Sequence, residues 1–147
     1  MSYIYFDLAY AIKVHDFIIE VSGGREGTHN VGLIDSVLDF IQSDMYYPSF
    51  EDKLTHLVYS VNKNHAFTDG NKRSSIALGA AFLEINGLEY LSKRFIEEME
   101  NIAVYVADNK ISKDLLHKII TSLVYDLEYS EVLKLEIFSA ITLDKEV

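Results

Sequence analysis

The chain has 147 residues, 49% of them hydrophobic, with ten Tyr and eight Phe, which excludes a disordered tail and suits a single domain with a real core. Its formal net charge of −10 disfavours DNA or RNA as a direct partner, because a nucleic-acid footprint is basic. The absence of Cys excludes disulfides and thiolate metal sites and fits a reducing, cytoplasmic setting.

The start, MSYIYFDLAY, carries neither a basic region nor a long apolar run, so no secretory signal is expected. No window reaches the ~18 apolar residues of a membrane span, so no membrane is expected. Residues 7–22 predict a helix with Leu8, Ala11, Ile12, His15, Ile18 and Ile19 on one face, Asp7 as N-cap and Gly23-Gly24 as the stop. Residues 23–31 predict a glycine-rich loop. Leu33 to Gln42 predicts a short helix with Leu33, Val37, Leu38 and Ile41 inward. The segment 43–50, SDMYYPSF, reads as irregular chain or a short β flap, since Tyr46-Tyr47-Pro48 suits a strand edge or a turn. Glu51 to Asn62 returns to helix through Leu54, Leu57, Val58 and Val61. Asn71 stands where an N-cap belongs, and residues 72–86 have almost no polar face, which marks a buried central helix. Gly87 closes it as a C′ residue. Serines 74 and 75 fit helix surface or packing. Residues 92–108 are amphipathic through Phe95, Ile96, Met99, Ile102, Ala103 and Val106. Ser112 caps a further helix, and the tail from about 129 predicts one more. The fold class is all-α.

The chemistry concentrates in NHAFTDGNKRSS, residues 64–75. Asp69-Gly70 is a turn signal directly before the buried helix. The first N–H groups of that helix form an anion site at the positive end of its dipole. Lys72 and Arg73 lie in the same first turn, where cations are unwelcome unless an anion compensates, so a phosphate-bearing ligand is expected. Asp69 is a hard oxygen ligand suited to a Mg²⁺ that bridges phosphates. His65 can take a proton near neutral pH. Each residue alone has a bland reading: a solvated loop histidine, an ordinary turn, and Phe67 as an apolar anchor pinning the loop. Together they form a kit for phosphoryl or nucleotidyl transfer.

The run His65-Ala66-Phe67-Thr68-Asp69-Gly70-Asn71-Lys72-Arg73 resembles the Fic/Doc signature, H-x-F-x-D/E-G-N-x-R, at every fixed position. His15-Asp16 followed by Gly23-Gly24, the stretch VGLIDSVLDFIQ and the Asn86-Gly87 helix end extend the resemblance to the death-on-curing (Doc) branch over residues 1 to about 127. Residues 128–147 read as a helical extension packed on the same domain. Lys72 stands at the variable position, where AMP-transferring members carry Gly and Doc-type toxins carry Lys. The resemblance therefore implies a kinase that moves the γ-phosphate of ATP to a Thr or Ser hydroxyl of elongation factor Tu, silenced by a cognate antitoxin. It implies His65 as base, Asp69 on Mg²⁺, Gly70 and Asn71 cradling phosphate, Arg73 clamping the phosphates and Lys72 choosing which one reacts. It further implies that Tyr46, Tyr47, Pro48 and Ser49 line the strip that pairs with the target; their bland reading is packing over the core.

Gly70 stands where some Doc proteins carry Ala, which keeps protein AMPylation open as an alternative. A third reading, from another class, is a binding module with a degenerate site. Ser22 to Gly27 matches the letters of the family's inhibitory helix, S/T-x-x-x-E-G/N, but its three glycines oppose a helix. Thr142 with Glu146 fits it only in part. There is no H-x-x-x-H pair and no P-loop, and His29, His56 and His117 carry no carboxylate motif.

Overall fold

The computed structural model describes residues 2–142, and among them it holds seven α-helices, a single 3-10 turn and no strand. In order these are α1 (Leu8–Ser22), α2 (Val31–Phe40), α3 (Phe50–Lys63), α4 (Asn71–Ile85), α5 (Ser92–Ala107), α6 (Lys113–Val124) and α7 (Glu131–Thr142). None is long and apolar enough to cross a membrane.

The expected all-α fold is what forms, with α4 at its centre. α4 packs on α3, α5 and α1 at once, which accounts for a sequence with almost no polar face between its ends. Leu78, Gly79, Phe82 and Leu83 are buried along it, and so are Ser74 and Ser75, which stand at 0% exposure rather than on a surface. Gly79 lets α4 approach its neighbours. A Cβ there would lie 2.7 Å from the Phe95 ring and 2.9 Å from a Val58 methyl. The helix ends as the sequence predicts. Asn86 is the C-cap, Gly87 takes φ 79°, and the Gly87 and Leu88 N–H groups bond the Glu84 and Leu83 carbonyls, a Schellman closure.

Local rules set the other boundaries. Asp7 accepts the Tyr10 N–H and opens α1, and Gly23 at φ 86° closes it. Ser49 and Asp52 form a reciprocal capping box on α3. Ser112 caps α6. α2 begins at Val31, two residues earlier than its pattern suggests, and buries Ile34 as well as Val37, Leu38 and Ile41. α7 packs on α6 through the buried Leu133 and leaves Val132, Leu135 and Phe138 exposed. The match to an inhibitory helix at Ser22–Gly27 is loop beyond Ser22, and Glu146 of the second match lies outside the described residues.

Two expectations need correction. The helix cap of α4 is Gly70, in the left-handed region at φ 80°, and Asn71 is the first helical residue. Its side chain bonds backward instead of capping. The 43–49 segment is a run of turns with no β pairing. Its polar groups are consumed locally: Tyr47 N–H bonds the Ser43 carbonyl, and Lys53 Nζ reaches Ile41 O and Asp44 Oδ1, both at 2.8 Å. Pro48 offers no donor, and the Tyr47 ring stacks on His56.

Gly79→Ala tests the crowding on α4. Helix propensity alone favours Ala by about 1 kcal/mol. Overpacking against Phe95 and Val58 costs about 1–3 kcal/mol. A net loss of stability is expected, read as a lower urea midpoint with an unchanged slope; a raised midpoint would show slack between α3, α4 and α5.

Candidate active site

The signature loop joins the C-terminal end of α3 to the N-terminal end of α4. It is gripped from three sides. From below, His15 of α1 is completely buried and stacks on Phe67, with ring centroids 3.9 Å apart and planes 6° from parallel. Its Nε2 lies 2.7 Å from the Asp69 carbonyl oxygen, and that oxygen can only accept, so Nε2 carries the hydrogen. Its Nδ1 faces Asp16 Oδ1 at 3.1 Å. From the side, the glycine-rich 23–30 segment pairs with the loop. The Ala66 carbonyl accepts the His29 and Asn30 N–H groups, Thr68 N–H bonds Gly27 O, and Thr28 and Phe67 form an antiparallel bridge. From above, the Asn71 amide spans the Phe67 backbone, taking its N–H on Oδ1 at 3.1 Å and giving Nδ2 to its carbonyl at 3.0 Å.

What remains outward is the chemistry. His65 is exposed and sits at φ 50°, an uncommon conformation for a non-glycine residue. It shares a cleft of about 330 Å³ with Asn62, Asp69, Asn71, Lys72 and Arg73, closed on the far side by Ala107 at the end of α5. The first intrahelical bond of α4 runs from Ser74 N–H to Gly70 O. The N–H groups of Asn71, Lys72 and Arg73 therefore stand free of helix partners, and Gly70 has no side chain to cap them. That is an anion site built from backbone. Gly70 is required twice over: its φ is left-handed, and a Cβ would come within 3.1 Å of Ile19 Cδ1.

Asp69 is oriented before any ligand arrives. Oδ2 accepts the Arg25 N–H at 3.0 Å, and Oδ1 accepts the N–H of Gly70 at 2.8 Å. These two backbone bonds, helped by the charge of Arg73, hold its carboxyl below the usual carboxylate value. Gly24 makes room for the contact, since a Cβ there would lie 2.8 Å from Oδ2. Arg73 is partly committed. Its Nη1 donates to Ser22 Oγ and Gly23 O, both at 2.7 Å, while Nη2 stands 3.9 Å from Asp69 Oδ1. Lys72 is exposed and has no ion-pair partner among the described residues.

The carboxylate suits a Mg²⁺ in one respect. No cluster of three or more His, Cys, Asp or Glu occurs among the described residues. Mg²⁺ commonly binds through one or two carboxylates plus substrate phosphates and waters, so a lone, pre-oriented Asp69 beside a phosphate cradle fits it.

The structure thus brings His65, Asp69, Gly70, Asn71, Lys72 and Arg73 into one cleft. It does not bring Tyr46, Tyr47, Pro48 and Ser49 there. They precede α3 while His65 follows it, and fourteen helical residues span about 21 Å. The segment lying against the loop is the glycine-rich 23–30 stretch. Pattern reading also left two residues without a role. His15 was a polar position in an apolar stripe, which is the signal that could have drawn it to the loop. Asn62 is 2% exposed in the cleft wall, with Nδ2 on the Ala103 carbonyl, and nothing in its spacing distinguishes it.

Comparison with known proteins agrees with this geometry. The model of the Fic/DOC family matches residues 5–83, which runs from before α1 through most of α4. A protein of Mycolicibacterium smegmatis described as "Toxin Doc" is 32% identical over 96 residues, covering 63% of this chain and 74% of its own length.

His15→Phe keeps a ring over Phe67 and removes the donor to Asp69. A loss of roughly 0.5–1.5 kcal/mol in unfolding free energy is expected, the worth of one hydrogen bond. His15→Ala, which also removes the stack, is expected to cost more. Equal stability of His15→Phe and wild type in urea titration would mean the Asp69 carbonyl finds water instead.

Proposed function

The chain belongs to the Fic/Doc family, and from that premise we propose that it is a Doc-type toxin of a toxin–antitoxin pair, a protein kinase that moves the γ-phosphate of ATP onto a Thr or Ser hydroxyl of elongation factor Tu. The observation that carries the reading is Lys72, exposed and without an ion-pair partner among the described residues, on the uncapped N-terminus of α4 and within one cleft with His65.

His65 takes the proton of the attacking hydroxyl, because its ring is exposed, outside the brace, and makes no hydrogen bond among the described residues. The N–H groups of Asn71, Lys72 and Arg73 bind phosphate oxygens along the helix axis. The Asn71 side chain takes no part in that cradle, since both ends of its amide hold Phe67. Asp69 would hold the Mg²⁺, which when bound neutralises charge on the ATP phosphates. Arg73 serves through Nη2 while Nη1 ties the site to the end of α1. Lys72 meets the phosphates from the solvent side and fixes which of them faces His65. A cognate antitoxin keeps the enzyme silent in the cytoplasm.

The test offers γ- or α-labelled ATP with Mg²⁺ and bacterial elongation factor Tu to the purified protein and weighs the product by intact-mass spectrometry. A phosphate-sized gain from the γ-label alone is expected, and its loss in His65→Ala by about 10² or more in rate. Lys72→Gly should shift the product toward AMP. An AMP-sized gain in wild type would reverse the nucleotide assignment, and no gain would remove elongation factor Tu as substrate.

A further inference from the structure

The seam between α3 and α6 carries a second group of titratable side chains that the transfer reaction does not use. Lys113 is the first residue of α6, just after the Ser112 cap, where the positive end of the helix opposes a cation. Its side chain is half-buried, and Nζ lies 2.9 Å from His56 Nδ1. The Tyr47 and Tyr59 rings flank it, with centroids 5.6 and 5.9 Å away. His56 Nδ1 also faces Tyr47 OH at 3.1 Å and Ser60 Oγ at 3.5 Å. Three donors converge on one nitrogen, so Nδ1 carries the lone pair and Nε2 the hydrogen.

Among the described residues no carboxylate lies within ion-pair distance of Lys113. Asp52, one turn from His56, is taken by His117 at 2.7 Å. Asp114 acts on Lys113 only at longer range and opposes the main effect, which is burial lowering the amine below its usual value. Burial, and then the Lys113 charge, push His56 down to about 4, so the imidazole stays a neutral acceptor at pH 7. Burial and the helix end therefore disfavour an ammonium on Lys113, against the pull of the two tyrosine rings and of Asp114.

We propose that Lys113 is a nucleophilic lysine and a site of acyl modification by small acyl phosphates. The neutral Nζ attacks the acyl carbonyl carbon and forms the N–C bond. The C–O bond to phosphate breaks, and phosphate leaves with the electron pair. The proton shed by Nζ passes to His56 Nδ1 and from there, through water, to the departing phosphate. The remaining amide N–H can still donate to His56. Acyl phosphates fit better than uncharged donors because the Lys113 and Asp114 N–H groups, which neither the Ser112 cap nor a helix partner takes, attract an anionic leaving group.

The experiment incubates the full chain with acetyl phosphate at pH 7 and follows acetylation of each lysine by peptide mass spectrometry. Lys113 is expected to react faster than the exposed Lys13 and Lys93. His56→Leu should slow Lys113 severalfold and leave Lys13 and Lys93 unchanged, in a protein whose circular dichroism matches wild type. In wild type, acetylation of Lys113 no faster than of Lys13 and Lys93 overturns the proposal, and that comparison does not depend on any variant folding.

Discussion

The site depends on one buried imidazole. His15 is fully enclosed, and it touches the signature loop twice, through its face on Phe67 and through Nε2 on the Asp69 carbonyl. The loop has no regular structure of its own to hold it. Its backbone groups are satisfied by α1, by the 23–30 segment and by Asn71, so the loop is as rigid as the elements it leans on. Pre-orientation of this kind matters in phosphoryl transfer, where the protein contributes mainly position and charge. The side chains of His65 and Lys72 can stay exposed because the neighbours between them, Ala66, Phe67 and Gly70, are buried.

The same constraint explains the glycines around the site. Gly24 and Gly70 both have positive φ, and both would meet Arg73 Nη2 or its neighbours with a Cβ. They let α1, the loop and α4 approach closely enough for Asp69 to reach the Arg25 N–H. A β-carbon at Gly24 would crowd Asp69 and Arg73, and one at Gly70 would crowd Ile19 and Arg73. Composition at positions 23–27 is thus part of the site at the level of backbone spacing.

Much of this was legible in the sequence, and the failures have physical reasons. Helix positions followed from apolar periodicity, and the caps Asp7, Ser112 and Gly87 followed from residue type, because both signals are local. The six loop residues from His65 to Arg73 assembled as their spacing suggests, since nine residues leave little freedom. The role of His15 was not legible, because its partner lies 54 residues away and only packing brings them together. Asn71 looked like a cap by type, yet Gly70 reaches the left-handed conformation and frees the Asn71 amide for Phe67. That residues 46–49 stand away from the loop was not legible, for the same reason as with His15. Proximity to the loop depends on the length and direction of α3, which a local pattern does not report. The family match ends at residue 83, so α5 to α7 rest on periodicity and packing.

The electrostatic argument also changes once coordinates are added. By sequence, Lys72 and Arg73 both oppose the positive end of α4, and both call for an external anion. In the structure Arg73 finds its counterpart inside the protein. Its Nη1 meets the Gly23 carbonyl at the negative end of α1, and Nη2 faces Asp69. One helix end therefore offsets the conflict at another. Lys72 has no such relief among the described residues, and it stands beside three free backbone N–H groups on a chain whose net charge is −10. A protein with an excess of carboxylates left a single cation and an open helix end uncompensated at the place where His65 waits. The uncompensated positive charge thus resides in Lys72 and the α4 backbone, and Arg73 acts first as the tie that keeps α1 against the loop.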